Sequence, residues 1–137
     1  MASIKGFDHV AITVANMEAT CGWYGGLFGA RPISEHAEGG KVLVRQIAMV
    51  GAMLSVHQSG NGLELVAKLP TVGAADICFR WNGDIESAVA LLHRHGVEII
   101  EGPTPRRTAD GLPSRSVYFR DPDGNLLEVS NYAEALK

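Results

Sequence analysis

Four side chains that can bind a metal ion stand in short apolar segments of the 137-residue chain. His9 opens HVAITV, His57 closes AMLSVH, Asp76 opens DICFRW, and Glu128 interrupts NLLEVSN. Imidazole and carboxylate are good ligands for Zn, Ni, Mn or Fe(II), and two His with one carboxylate leave coordination positions open for substrate oxygens. The chemistry predicted for such a metal is Lewis-acid catalysis.

The faces of these side chains follow from β-strand periodicity. Each segment alternates with the two-residue period of a strand, so residues two apart share a face. His57 stands two residues after Ser55 and therefore faces the same side. Glu128 is explained equally well by an exposed strand face or by a polar cavity that holds a cation. For Asp76, a role at a strand end, accepting a backbone hydrogen bond, stays open beside metal ligation.

An internal repeat relates the two halves of the chain. HVAITV lies over DICFRW at an offset of 76 − 9 = 67 residues, and AMLSVH lies over NLLEVS at an offset of 125 − 52 = 73 residues. His9 then corresponds to Asp76, and Ser55 to Glu128. The two imidazoles and one or two carboxylates can therefore converge, with Ser55 beside a bound substrate.

Each copy of the repeat is predicted to fold as βαβββ, which gives an α+β fold class. Asn16 and Asp84 can cap the two helices, and Gly29 and Gly96 end them. Apolar stripes are predicted at Met17, Cys21, Tyr24 and Phe28 in the first helix and at Ile85, Ala88, Val89 and Leu92 in the second. The predicted strands are 9–14, 30–36, 41–48 and 52–58, then 76–81, 97–102, 114–120 and 125–131. Module one covers about 5–58, a linker about 59–74, and module two about 75–132, together one domain whose two sheets enclose a cleft.

The segment between the last helix and the closing strands carries further polar candidates. Its loop, predicted at 103–113, is rich in Pro and Gly and too long for a simple hairpin, which favours a lid. Arg106, Arg107 and Arg115 are candidates to bind a substrate carboxylate or phosphate, or else are solvated. Tyr118 is a candidate hydrogen-bond donor in the cleft, or else a core residue.

The composition excludes several classes of partner. The formal charge is −3, from 12 Lys and Arg against 15 Asp and Glu, so no basic field is available for nucleic acid or an anionic membrane. The start MASIKGFDHV lacks the apolar core of a signal peptide, and no run of about 18 apolar residues offers a membrane span. Cys21 and Cys78 form no CxxC pair. We therefore expect a cytoplasmic protein with a small-molecule substrate.

Three features together resemble a known family: FDHVAITV at 7–14, the central repeat, and VYFRDPDGNLLEVSNY at 117–132. They are similar to the vicinal oxygen chelate superfamily, which includes glyoxalase I, bleomycin- and fosfomycin-resistance proteins and extradiol dioxygenases. Within it, DICF at 76–79 and EGPTPR at 101–106 look most like glyoxalase domain-containing protein 5-like proteins. The resemblance implies paired βαβββ modules and a cleft with a divalent metal, completed within one chain or across a homodimer, and we expect the homodimer.

The resemblance also implies site residues, with two departures. His9 and Glu128 match metal-ligand positions, whereas Ser55 stands where a carboxylate is expected and Asp76 where a histidine is common. His57 is the candidate for the missing ligand. These departures argue against lactoylglutathione lyase activity, which needs a metal and a carboxylate base.

The function predicted from these residues is that of a glyoxalase-like lyase or isomerase. It would act through the metal on a molecule with two adjacent oxygens, with Glu128 and Tyr118 as catalytic residues. One alternative is an extradiol-type dioxygenase, because Tyr118 and the DPxG turn resemble part of that signature, although residues 109–111 hold no histidine. Another is a metal-free drug- or metabolite-binding protein like the bleomycin-resistance proteins.

Overall fold

The protein folds into two βαβββ units, as a computed structural model shows for residues 2–131. The first unit covers the described residues up to Val72, and the second begins at Gly73. Residue 132, the predicted end of module two, lies outside the described residues. The α+β fold class with two βαβββ modules is confirmed.

The first unit is a four-stranded sheet with one helix on one face. Its strands lie in the order β1-β4-β3-β2, with β1 parallel to β4 and the other pairs antiparallel. Strand β1 can pair in parallel with β4 because the helix and two further strands separate them along the chain. The elements are β1 (Val10–Val14), α1 (Met17–Phe28), β2 (Arg31–Glu38), β3 (Lys41–Met49) and β4 (Ala52–Gln58).

The second unit repeats this topology. Its strands lie in the order β5-β8-β7-β6, with β5 parallel to β8. The register preserves the repeat, since Ala11 pairs with Ser55 in the first sheet and Cys78 pairs with Glu128 in the second. The elements are β5 (Asp76–Trp81), α2 (Ile85–Arg94), β6 (Glu101–Arg107), β7 (Pro113–Arg120) and β8 (Leu126–Asn131).

Local sequence signals begin and end both helices where predicted. The Asn16 side chain accepts a hydrogen bond from the backbone amide of Ala19 at 3.0 Å, and Asp84 does the same for Ser87 at 2.8 Å. Gly29 follows α1 with a φ of 69°, the left-handed conformation that glycine adopts without a steric cost.

The buried stripe of α1 differs from the predicted one. Thr20 and Leu27 are buried, whereas Cys21 and Phe28, the next residues along the chain, are half-buried. Spacings of three and four residues allow either stripe, and Gly22, Gly25 and Gly26 carry no side chains that would decide between them. The predicted stripe of α2 agrees better with the structure, since Ile85, Ala88 and Leu92 are buried.

The predicted strand at 97–102 and the predicted loop at 103–113 are wrong in their bounds. Strand β6 runs from Glu101 to Arg107, so only residues 108–112 connect it to β7. Pro103 and Pro105 suggested a loop because proline cannot donate to a sheet ladder. In fact β6 is an edge strand, where one side of the backbone needs no partner. The proposed long lid therefore does not exist as a loop of that length.

Candidate functional site

The candidate face of the first unit is the side of its sheet that points away from α1. On β1 the residues Ile12 and Val14 are buried, so Ala11 and Thr13 face the other way together with His9, which directly precedes the strand. Thr13 pairs with His57 across the parallel β1 and β4 strands. The two histidines predicted as ligands thus stand on one face of one sheet.

A cavity of about 390 Å³ lies against this face. His9, Thr13 and His57 are polar groups in its wall, and the opposite wall is formed by a segment beyond β4. A second cavity of about 110 Å³ shares several lining residues with the first, namely Thr13, His57, Val66 and Pro70. A volume of this size suits a small molecule.

The electrostatics of the two imidazoles differ. Burial lowers the pKa of His57 below its ordinary value of 6.5, and the nearby His9 lowers it further because two imidazolium charges repel. The His9 ring nitrogen Nδ1 lies 2.8 Å from an oxygen of Asp8, which fixes the orientation of that ring. His57 is therefore neutral at physiological pH, and a neutral imidazole is the form that binds a metal.

Ser55 lies beside these histidines but is buried, with 4% of its surface exposed. Its register partner Ala11 lines the cavity, whereas Ser55 does not reach the lining. The predicted contact between Ser55 and substrate stays a prediction.

The candidate face of the second unit is the side of its sheet that carries Glu128. Cys78 is the register partner of Glu128 on β5, and Tyr118 is its partner on β7. Asp76 stands two residues before Cys78 and shares its face. Cys78 and Tyr118 both lie close enough to Glu128 for its negative charge to act on them.

The surroundings of Glu128 change the pKa values of both neighbouring side chains. Desolvation, followed by the negative charge of Glu128, raises the pKa of the Cys78 thiol to about 12. Desolvation also raises the pKa of Tyr118, and the neighbouring Arg106 partly opposes that shift. Both groups therefore keep their protons at neutral pH and remain hydrogen-bond donors.

Arg106 is held by its own strand neighbours. Its Nε donates to the Tyr118 hydroxyl at 2.8 Å, and its NH2 group lies 2.9 Å from a Glu101 oxygen. Its guanidinium carbon also lies 5.3 Å from the centre of the Tyr118 ring. Because Tyr118 accepts from Arg106, its own proton is oriented toward another acceptor.

The other two predicted anion-binding arginines lie elsewhere. Arg107 donates to the carbonyl oxygen of Gly111 within the β6–β7 hairpin at 2.8 Å. Arg115 pairs with Glu86 of α2 at 3.0 Å, which puts it on the helix side of the sheet, opposite to Glu128. The structure thus brings Arg106 to Tyr118 and Glu128 but does not bring Arg107 or Arg115 to them.

The turn before β8 positions Glu128. Asp121 accepts hydrogen bonds from the backbone amides of Asp123 and Asn125 at 2.9 and 3.0 Å. The buried Asn125 side chain accepts from the amide of Ala75 at 2.8 Å and donates to Asp121 at the same distance. This network joins the turn to the start of β5 and so aligns Asp76 and Cys78 with Glu128.

Sequence reasoning missed two residues near Glu128. Cys78 was considered only for a CxxC pair, although its spacing from Asp76 was a signal that it faces the same way. Glu101 carried no signal, because its contact with Arg106 depends on the bounds of β6.

The donor sets of the two faces can be compared with the needs of a metal ion. In the part of the chain that the structure describes, no three His, Cys, Asp or Glu side chains gather as a metal-binding group. The first unit supplies two imidazoles, one of them held neutral, and the second supplies the carboxylate of Glu128. Each set fits as part of a His and carboxylate site, and neither is complete by itself.

The chain matches a known family model over most of its length. The model of the glyoxalase/bleomycin resistance protein/dioxygenase superfamily matches residues 6–129. The chain belongs to this superfamily. The match spans both βαβββ units and includes His9, His57, Asp76 and Glu128. The predicted family is confirmed, while the similarity to glyoxalase domain-containing protein 5 stays a prediction.

Relatives in the superfamily cover nearly the whole chain. A glyoxalase domain-containing protein, RDO1 of Mycosarcoma maydis, is 35% identical over 97% of this chain and 72% of its own length. Virulence protein STM3117 of Salmonella typhimurium is 34% identical over 94% and 85%. An integron cassette protein from V. cholerae is 36% identical, with a TM-score of 0.84 over 96% of this chain and 98% of its own.

More distant solved structures share the fold alone. The fosfomycin resistance protein FosX of Listeria monocytogenes, solved with Mn(II), is 21% identical with a TM-score of 0.61, covering 93% of this chain and 90% of that one. The antibiotic-binding protein TnmS3 of Streptomyces is 20% identical with a TM-score of 0.70, covering 96% and 98%. The same fold thus occurs in a protein solved with a metal and in an antibiotic-binding protein.

Among the described residues, neither helix is long and apolar enough to cross a membrane.

Proposed function

We propose that this superfamily member is a divalent-metal-dependent enzyme, of the lyase or isomerase type, for a small molecule with two adjacent oxygens. The observation that carries the proposal is the pair His9 and His57, which stand on one sheet face and line one cavity. Burial keeps His57 neutral, as a ligand must be. Glu128 supplies the carboxylate, with Asp76 as a further candidate ligand.

In the proposed reaction, the metal supplies Lewis-acid chemistry and the residues of the chain hold or move protons. A divalent ion bound there would act as a Lewis acid on the adjacent oxygens of the substrate. Tyr118 keeps its proton at neutral pH and donates a hydrogen bond, while Arg106 holds the phenol in place. Glu128 is the carboxylate available to take a proton, and Cys78 and Tyr118 orient it.

The half-sites of the two units are proposed to meet across a homodimer. The deciding experiment mixes His9→Ala chains with Glu128→Ala chains after denaturation and joint refolding. If each site uses His9 of one copy and Glu128 of another, half of the dimers are mixed and each contains one intact site. Bound metal should then return to about one quarter of the level of the unmutated protein. No recovery on mixing would assign both ligands to one chain.

The metal itself is tested by elemental analysis after dialysis against Zn, Ni, Mn or Fe(II). About one equivalent per site is expected in the unmutated protein, with loss in Glu128→Ala and His9→Ala chains that retain the far-UV circular dichroism of the parent. Glu98→Ala, an exposed carboxylate before β6, serves as the matched control. Equal metal content in all four proteins would overturn the proposal.

A metal-free binding protein is the second candidate, because much of the cavity lining is apolar: Ala11, Leu65, Val66, Ala67 and Pro70. Apolar lining with a few polar groups is typical of small-molecule pockets in general. This candidate predicts that the affinity for an organic ligand survives treatment with a chelator, whereas the enzyme proposal predicts its loss.

A further inference from the structure

The segment that follows β4 forms a defined wall over the first sheet. The amide of Ser59 donates to the carbonyl of Val14 at 2.9 Å, which fixes the start of the segment beside β1. Further along, the Asn61 side chain accepts from the amide of Leu63 at 2.9 Å and donates to the carbonyl of Leu43. These bonds fix residues 59–63, the start of the segment, against β1 and β3.

The wall is apolar where it faces the histidines. Leu65, Val66, Ala67 and Pro70 line the larger cavity, and Leu63 joins them in the smaller one. Across the described lining of both cavities there is no Lys, Arg, Asp or Glu. Apart from the histidines, the polar lining groups are the neutral side chains of Thr13, Gln58 and Asn61.

The lining of these two cavities therefore limits the charge that a bound ligand can carry. A carboxylate or phosphate placed against the wall would lose water without gaining a cationic partner, which is unfavourable. An apolar substituent would instead gain contacts with Val66 and Pro70, which line both cavities. Arg106 belongs to the second unit and is already paired with Glu101.

We propose that the wall formed by Leu63, Leu65, Val66, Ala67 and Pro70 selects a substrate whose adjacent oxygens carry an uncharged, apolar substituent, and that it rejects anionic substituents. This inference rests on the proposed function for the adjacent oxygens, whereas the selection against charge rests on the wall alone.

Three catechols with the same pair of oxygens test the proposal: 4-tert-butylcatechol, catechol and 3,4-dihydroxybenzoate. Their dissociation constants are measured by calorimetry with Zn-loaded protein. We expect 4-tert-butylcatechol to bind at least tenfold more tightly than 3,4-dihydroxybenzoate, with catechol between them. Equal affinities, or the reverse order, would overturn the proposal.

Variants of the wall locate the effect. Val66→Asp should weaken the binding of 4-tert-butylcatechol at least tenfold, while Val50→Asp, in the fully exposed β3–β4 turn, should leave it unchanged. Val66→Lys should strengthen the binding of 3,4-dihydroxybenzoate, a gain that misfolding cannot produce. Parent-like affinities in both Val66 variants would place selection elsewhere and contradict the inference.

The same probes separate this inference from the metal proposal. If chelator-treated protein still prefers 4-tert-butylcatechol and Zn makes no difference, the wall is confirmed and the metal proposal fails. If Zn is required for all three catechols but their affinities are equal, the metal proposal stands and the wall has no selective role.

Discussion

Cys78 and Glu128 are register partners on the parallel strands β5 and β8, and the negative charge of the carboxylate acts on the thiol. The equivalent pair in the first unit is Ala11 and Ser55, which have neither a thiol nor a carboxylate. The repeat thus keeps the backbone pairing while the chemistry of the two faces differs. In the second unit this pairing holds Glu128 between Cys78 and Tyr118.

The first prediction concerns the reactivity of Cys78. Only the thiolate is alkylated, and the pKa of Cys78 is raised to about 12 by desolvation and then by Glu128. Alkylation by iodoacetamide in a Cys21→Ser background should therefore keep accelerating above pH 10. Glu128→Gln removes the negative charge and should shift this profile to lower pH. Mass spectrometry of the labelled protein measures both rates.

Glu86→Gln, a carboxylate on the helix side of the same unit, is the control for this measurement. Its alkylation profile should match that of the parent. A Glu128→Gln profile that also matches the parent would show that the thiol and carboxylate do not interact.

The second prediction concerns stability in mild acid. In the metal-free protein the pKa of His57 lies below 6.5, so the folded state binds fewer protons than the unfolded state as the pH falls below 6.5. The free energy of unfolding should therefore decrease from pH 6.5 downward, until the folded pKa is passed. His57→Gln should flatten this decrease in urea unfolding experiments. An unchanged slope in this variant would contradict the assignment.

The His9 contribution to that shift can be measured separately. His9→Gln removes the neighbouring charge, while burial remains the larger cause of the lowered pKa. The NMR titration of the His57 ring proton should therefore move part of the way back toward 6.5 in this variant. A titration identical to that of the parent would mean that the two imidazoles are too far apart to interact.

The third prediction concerns the backbone of β6. Gly102 has a φ of 107°, and a Cβ there would overlap the carbonyl oxygen of Ser116 on β7. Gly102→Ala should therefore destabilise the protein by about 3 kcal/mol or more. Gly111→Ala, in the same hairpin with a φ of 80° and open space around it, should cost only about 1 kcal/mol. Urea unfolding measures both, and equal losses would argue against the close approach.

The fourth prediction concerns the turn before β8. Asn125→Ala removes the acceptor for the Ala75 amide and a donor to Asp121. Leaving buried polar groups unpaired should cost about 1–3 kcal/mol of unfolding free energy. Asp110→Ala, in the exposed β6–β7 turn, should stay within about 0.5 kcal/mol of the parent. A parent-like stability for Asn125→Ala would show that this network does not hold the turn.

Several elements could be predicted because their signals are local. Asn16 and Asp84 cap helices through contacts three residues away, and β4 and β5 match their predicted bounds because alternation over six or seven residues is visible in the chain. Periodicity placed His57 on the face of Ser55, and the pairing of Thr13 with His57 then puts that face on the side of His9.

Other features depended on contacts between distant residues. Proline was interpreted as a loop signal at Pro103 and Pro105, but the edge position of β6 made it compatible with a strand. Arg106 was expected to reach toward a ligand, yet register and strand bounds turned it onto Tyr118 and Glu101. Side-chain partners of this kind are set by the packing of the whole sheet.

The sequence by itself determined the two βαβββ units and the family, because periodicity, capping residues and an internal repeat are properties of the chain read in order. Only the tertiary structure decided which groups surround Glu128 and what lines the cavity at His57. The segment after β4 illustrates the reason: its residues carry no regular pattern, hydrogen bonds to β1 and β3 fix its start, and only the fold brings Val66 and Pro70 to the cavity beside His57.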